Sequence, residues 1–178
     1  MIEEEIKDLF AKDQRQGIRM LMDQYQEPLY NHIRRLLVSH EDAQDALQET
    51  FVRVFRSWNT FRGDSSLSTW LYRIATNESL RILNARKNRE NLSDDDMQKE
   101  LIGRLKTSEY IDYDDAMAVK FQEAILSLPE KQRLVFNFRY YDELSYDEIA
   151  GILDTKTDTL KVNYHYAKER IKSYILNH

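Results

Sequence analysis

Four glycines and two prolines are all that this 178-residue chain contains. That is about 3% of the chain, against roughly 12% in ordinary usage. Sandwiches and barrels need turn residues at every strand end, and collagen-like or linker-rich chains need far more of both. Long helices need few. No segment sustains an alternation of period two, so the expected fold is all-α with no sheet. The length suits one ordinary domain or two small ones.

Cysteine is absent. That excludes a disulfide scaffold, a thiolate zinc site and a cysteine nucleophile, and it permits a reducing compartment. No apolar run approaches the ~20 residues of a membrane span. The first ten residues, MIEEEIKDLF, are acidic where a secretory signal would be basic. A cytoplasmic, soluble chain without membrane insertion is the expectation.

The formal charge of −5 weighs against a nucleic-acid partner when taken whole. Its distribution does not. Residues 58–89 hold 6 basic and 2 acidic side chains, residues 90–117 hold 3 and 9, and residues 154–178 hold 5 and 3. Two basic segments flank an acidic one. They read either as solvated helix faces or as two separate phosphate-contacting surfaces.

The acidic stretch 88–115 has few large apolar residues and only short helical periodicity. It reads as a flexible linker with at most a helical turn or two. It divides the chain into residues 1–87 and 116–178, each apolar enough for a small helical core. Ser39 to Asp42, Ser145 to Glu148 and Thr155 to Asp158 fit the reciprocal capping pattern that opens a helix. Pro129 suits a first helical turn.

In residues 40–58, Leu47, Phe51, Val54, Phe55 and Trp58 form one apolar stripe at spacings of three and four. Asp45, Gln48, Glu49, Arg53 and Arg56 lie opposite. In residues 67–87, Leu71, Ile74, Ala75 and Ile82 fall on one side, and Trp70, Arg73, Asn77 and Arg81 on the other. Arginine pairs with phosphate and stacks on bases. Asparagine can read a base edge, and tryptophan can stack on an unpaired base. Alternatively, Trp70 is a core residue and the arginines pair with Asp64 and Glu78. Residues 59–66 form a polar turn that could line a pocket.

Residues 129–176 hold the most specific pattern: a helix to about Tyr141, a short break, a capped helix from Ser145 to Leu153, a polar turn and a long last helix. This is a helix-turn-helix arrangement; a generic three-helix bundle is the competing reading. In the last helix Leu160, Tyr164, Ala167, Ile171 and Ile175 form the inward stripe. Lys161, His165, Lys168 and Lys172 form a basic outward stripe suited to a major groove.

These residues resemble a bacterial RNA polymerase sigma factor of the extracytoplasmic-function group, in the sigma-70 family. Residues 42–51 (DAQDALQETF) are similar to its second conserved region. Residues 61–65 (FRGDS) and 69–77 (TWLYRIATN) resemble its promoter-melting segment. Residues 128–130 (LPE) and 144–150 (LSYDEIA) resemble its fourth region. The matches stand in family order and cover most of residues 20–87 and 116–175.

The resemblance implies roles. Asp42, Asp45, Gln48, Glu49 and Arg53 would dock on the clamp helices of the largest subunit of core RNA polymerase, and the last domain would meet the flap of the second. Phe61, Arg62, Asp64, Ser65 and Asn77 would capture a flipped base of the −10 element, with Trp70, Arg73 and Arg81 on neighbouring bases or phosphates. Lys156, Thr157, Lys161, Val162, His165, Tyr166 and Lys168 would read the −35 element. Lys161, Asn163 and Tyr166 stand where many members carry arginine, and lysine lacks the bidentate fork that reads guanine. Val162 is placed to touch a thymine methyl group. Promoter DNA, core polymerase and an anti-sigma protein are the implied partners.

A free-standing helix-turn-helix regulator with an N-terminal sensing domain is the alternative. An enzyme has little support. The run Asp94-Asp95-Asp96 lies in the linker, and His32, His40, His165 and His178 lack metal-ligand spacing. Neither metal nor cofactor is expected.

Overall fold

The computed structural model describes residues 2–107, 109–112 and 114–178. Among them are nine α-helices, one 3-10 turn and no strand. The helices are α1 (Ile2–Lys12), α2 (Gln14–Leu37), α3 (His40–Ser57), α4 (Leu67–Arg89), α5 (Asp94–Thr107), α6 (Ala116–Leu126), α7 (Glu130–Tyr140), α8 (Tyr146–Leu153) and α9 (Thr157–Asn177), with the 3-10 turn at Trp58–Thr60.

Short polar side chains set the helix starts. Ser39 accepts from the Asp42 N–H at 3.2 Å and Ser66 from Thr69 at 3.1 Å. Ser145 and Glu148 make the full reciprocal box, each bond 3.1 Å. The third expected box does not form. Asp154 turns the chain at φ 51, and the Thr155 hydroxyl donates back to the Leu153 carbonyl at 3.1 Å. Lys156 therefore stands at the N-cap of α9 with no side-chain bond. Pro129 caps α7 from just outside its first turn. Proline forfeits a helical N–H and crowds the preceding turn. Helix α2 nevertheless runs through Pro28, anchored on both sides by buried Leu21, Leu29 and Ile33.

The linker holds more structure than its composition suggests. Within it α5 spans 14 residues and buries Met97, Leu101 and Leu105, one side chain per turn. Each such burial contributes roughly 1.5–3 kcal/mol. Asp94, Asp95 and Asp96 in the first turn complement the positive end of the helix dipole. Arg104 fastens the far end, donating to the Leu37 carbonyl at 2.9 Å and to Asp42 at 3.2 Å.

The two halves are packed together. One core cluster takes Leu29, Ile33 and Tyr72 from the first half and Val135, Phe138, Ile149 and Ile152 from the second. A smaller cluster of Ala124, Ile125, Leu128, Phe136, Ala167 and Ile171 belongs to the second half alone. Polar groups are buried between the halves. Arg35 pairs with Asp142 at 2.7 Å. His32, wholly buried, lies against the Phe138 ring with its Nε2 2.8 Å from the Thr76 hydroxyl and its Nδ1 4.0 Å from Asp142. Burial, then the Arg35 charge, pushes His32 down to about 3. It is a neutral ring at neutral pH. Arg133 is 4% exposed and donates to the Leu36 carbonyl at 3.3 Å.

Candidate nucleic-acid interface

Helix α3 turns Ala43, Ala46, Thr50, Phe51 and Val54 into the core. The inward stripe is thus rotated from the one expected. Phe55 is 40% exposed. The small Ala43 and Ala46 let α2 approach closely and roll Leu47 and Phe55 to the margin. There they line a groove of about 990 Å³ between α2 and α3, with Ile18, Met22, Phe51 and Val52. Asp45 and Gln48 stand on its rim.

The five residues assigned to docking therefore divide. Asp45 and Gln48 edge the groove. Asp42 pairs with Arg104 of α5. Arg53 reaches Glu49 at 3.4 Å and Glu78 of α4 at 2.9 Å. Glu78 is 3% exposed, and Arg81 donates to it as well, its Nε at 2.9 Å. A buried carboxylate needs such partners. The Arg81–Glu78 pairing weighed from the sequence forms; one between Asp64 and arginine is not among the ion pairs of the described residues.

The turn before α4 is built on aromatic rings. Phe61 stacks on Trp70 at 4.9 Å, and Trp58 lies 5.6 Å from Phe61 and 6.0 Å from Trp70. Trp70 is half-buried in this cluster, not an open stacking platform. Arg62 and Asp64 are exposed, Ser65 is half-buried, and Gly63 takes φ 79, where a Cβ would be strained. Asn77 is exposed and shares a pocket of about 230 Å³ with Arg53, Ser57, Ile74, Glu78 and Arg81. Arg73 faces elsewhere. Its Nε donates to the Gly151 carbonyl of α8 at 3.2 Å, and its terminal nitrogen does the same.

Helix α9 presents the expected outward face. Lys161, Val162, His165, Tyr166, Lys168 and Lys172 are exposed, while Leu160, Ala167 and Ile171 are buried and Tyr164 and Ile175 half-buried. Val162 and Tyr166 are each 53% exposed, large apolar surface left in water between lysines. Lys156 is exposed and Thr157 half-buried at the helix start. Among the described residues no group of His, Cys, Asp or Glu side chains could hold a metal ion. No described helix is long and apolar enough to cross a membrane.

Sequence reasoning missed the groove side chains Ile18 and Met22, whose helix α2 it had not delimited. It also missed Gly151, where an added Cβ would lie 3.2 Å from Thr69.

Comparison with known proteins gives matches to both halves of the chain. The sigma-70 region 2 model matches residues 21–89 and the sigma-70 region 4 model matches residues 118–171. The chain is 33% identical over 171 residues to the ECF RNA polymerase sigma-E factor of Escherichia coli (strain K12), covering 92% of this chain and 89% of that one. It is 29% identical over 182 residues to the ECF RNA polymerase sigma factor SigW of Bacillus subtilis (strain 168), covering 98% and 97%. In fold it is similar to CnrH in its complex with the cytosolic domain of CnrY (TM-score 0.70, 15% identity, 97% and 96% covered). It is similar also to sigma factor RpoE bound to the anti-sigma factor NepR, from Bartonella quintana (TM-score 0.67, 18% identity, 88% and 95% covered). These matches place the chain among the RNA polymerase sigma factors of the sigma-70 class. Within that class, the chain belongs to the extracytoplasmic-function (ECF) sigma factor family.

Proposed function

We propose that this sigma factor directs initiation by two-point promoter recognition. Residues 1–87 act as the core-docking and −10-binding unit, 88–115 as the acidic linker and 116–178 as the −35-binding unit. Asp45, Gln48 and the apolar groove beside them receive the clamp helices of the largest polymerase subunit. Asp42, Glu49 and Arg53 support that surface from its edges, and the second unit meets the flap.

The turn 61–66 and Asn77 take a flipped −10 base, with Arg62, Asp64 and Ser65 nearest it. Unstacking costs a few kcal/mol, which contacts to the extruded base must return. Trp70 holds the turn in shape, and Arg81 and Arg73 meet neighbouring phosphates. Lys156, Thr157, Lys161 and Lys168 meet phosphates at −35, and Val162, His165 and Tyr166 face base edges. The chain is a specificity subunit and performs no catalysis itself. It works in the cytoplasm, and an anti-sigma protein holds it when it is idle.

The observation that carries this reading is the exposed α9 face, basic at its margins and apolar at its centre, on the same chain as the α2–α3 groove. Each unit alone binds weakly. Polymerase holds both, so the second contact becomes intramolecular. The linker suffices for this. With α5 kept helical at ~1.5 Å per residue and the other half extended at ~3.4 Å, it reaches roughly 70 Å. The net negative charge limits unproductive binding to bulk DNA.

The test is binding of purified protein to core polymerase, followed by run-off transcription on pooled genomic DNA. Tight binding with discrete start sites supports the reading and delivers the promoter. Retained DNA affinity without core binding would favour a stand-alone helix-turn-helix regulator.

A further inference from the structure

Helix α1 lies before the segment that matches sigma-70 region 2, and none of the roles above uses it. Its contacts converge on the turn 61–66 from both ends. At the entrance, the Phe10 ring stacks on Trp58 with centroids 3.8 Å apart and planes 12° apart. The Lys7 ammonium lies 5.5 Å from the centre of the Phe61 ring. Glu3 at 3.2 Å and Glu4 at 3.5 Å steady that ammonium. At the exit, the Glu3 carboxylate accepts from the Leu67 N–H at 3.1 Å. Leu67 is the first residue of α4, where backbone donors lack helical partners and negative charge is favoured.

The turn has little to fix it from within. Arg62, Gly63 and Asp64 are exposed, and its own bonds are Phe61 N–H to the Trp58 carbonyl, Ser65 hydroxyl to the Ser66 carbonyl and, at its end, those between Ser66 and Thr69. Phe10 in turn has no freedom to leave. It packs so closely on Gly17 that a Cβ there would come within 2.8 Å of the Phe10 Cα.

We infer that Glu3, Lys7 and Phe10 are positioning residues that hold the turn 61–66 in the shape that receives an unpaired promoter base. This rests on the base-capture role proposed for that turn. The three side chains act through Phe61, Trp58 and the start of α4 and need not touch the base themselves. A loop so exposed would otherwise sample many shapes, and ordering it on binding would weaken the discrimination between one base and another.

The experiment uses holoenzyme and a fluorescent single strand carrying the −10 sequence mapped by run-off transcription. A second strand has an abasic site at the flipped position. The readout is the ratio of the two affinities, which a general loss of folded protein does not move. Glu3→Ala with Lys7→Ala is expected to lower that ratio fivefold or more while core-polymerase affinity stays within twofold. Lys7→Arg, with Glu3 intact, is expected to keep the wild-type ratio. Glu3→Gln alone, which keeps an acceptor for Leu67 and removes only charge, is expected to fall between. An unchanged ratio in the double variant would overturn the inference. A wild-type holoenzyme indifferent to the abasic site would overturn the base-capture role itself and this inference with it.

Discussion

Arg73 of α4 and Gly151 of α8 stand 78 positions apart in the chain and share a bidentate contact, guanidinium to main-chain carbonyl. The contact joins α4, proposed to face the −10 element, to the first helix of the helix-turn-helix. While it holds, Arg73 is not available to a phosphate. If Arg73 meets a promoter phosphate as proposed, the closed arrangement and the promoter-bound one compete for one side chain.

Arg73→Ala is accordingly expected to loosen the closed arrangement. The chain has no cysteine, so Asn59→Cys and Ser173→Cys, both at exposed sites, allow a clean fluorescence pair. Mean transfer efficiency should fall in the Arg73→Ala background, and should fall in the otherwise native chain when core polymerase and promoter are added. Identical efficiency with and without Arg73 would remove the contact from this role.

Asp45→Arg combined with Glu49→Arg should weaken core-polymerase binding at least tenfold and leave the fold intact, since Asp45 is exposed and edges the groove. Phe55→Ala should weaken it without changing charge, because a half-exposed aromatic in a groove is the kind of anchor a partner buries. Titration against labelled core polymerase measures both. Native affinity in the double variant would move docking off α3.

His32 predicts an acid sensitivity. Its folded value of about 3 lies below the unfolded ~6.5. The unfolded chain therefore binds the extra proton, and stability is lost as pH falls through that window. Arg35 reinforces the effect. Asp142, pushed up by burial and pulled back by Arg35, acts in the opposite direction nearer the carboxylate range. Between pH 7 and 5.5, urea unfolding should show stability falling with a slope that approaches roughly 1 kcal/mol per pH unit. His32→Gln, which keeps a polar partner for Thr76, should flatten that slope.

Ser145→Ala removes one half of the box that starts α8. The expected loss is about 1 kcal/mol, read as a lower urea midpoint with unchanged m-value.

On α9 the outward residues should separate by role. Lys161→Ala should weaken −35 binding alike on all sequences and reduce the salt slope by about one. Val162→Ala or His165→Ala should change the ranking of −35 variants and leave the salt slope alone. A competition assay across single-base variants at two salt concentrations distinguishes them.

Helices α3, α4 and α8 were readable because each carries a capping serine and an apolar repeat; α7 and α9, which lack a side-chain cap, were readable from Pro129 and from the apolar stripe of α9. Helix α5 was not, since Met97, Leu101 and Leu105 are a one-residue-wide stripe among acids that composition reads as solvated. The join between the halves was less visible still. Arg35 and Asp142 are 107 positions apart, Arg133 and Leu36 97 apart, and a lone charge in a periodic helix looks like surface wherever it finally lies. Phe55 shows the converse: period alone put it inside, and the small Ala43 and Ala46 beside it decided the rotation. The outward stripe of α9 was legible residue by residue because Lys161, His165, Lys168 and Lys172 all lie exposed.

Arg73, Arg104 and Arg133 all end on main-chain carbonyls, those of Gly151, Leu37 and Leu36. No side-chain replacement at those three positions deletes the acceptor. Each of these contacts is therefore one-sided under mutation: it can be erased from the arginine in a single step, and from the other side only by bending a helix. Drift at Leu36 and Leu37 leaves the acceptors in place, whereas at Gly151 a new side chain would have to clear Thr69. Changes that release the closed state should gather at the three arginines and Gly151; Arg104 and Arg133 lie outside the surfaces proposed to meet DNA or polymerase.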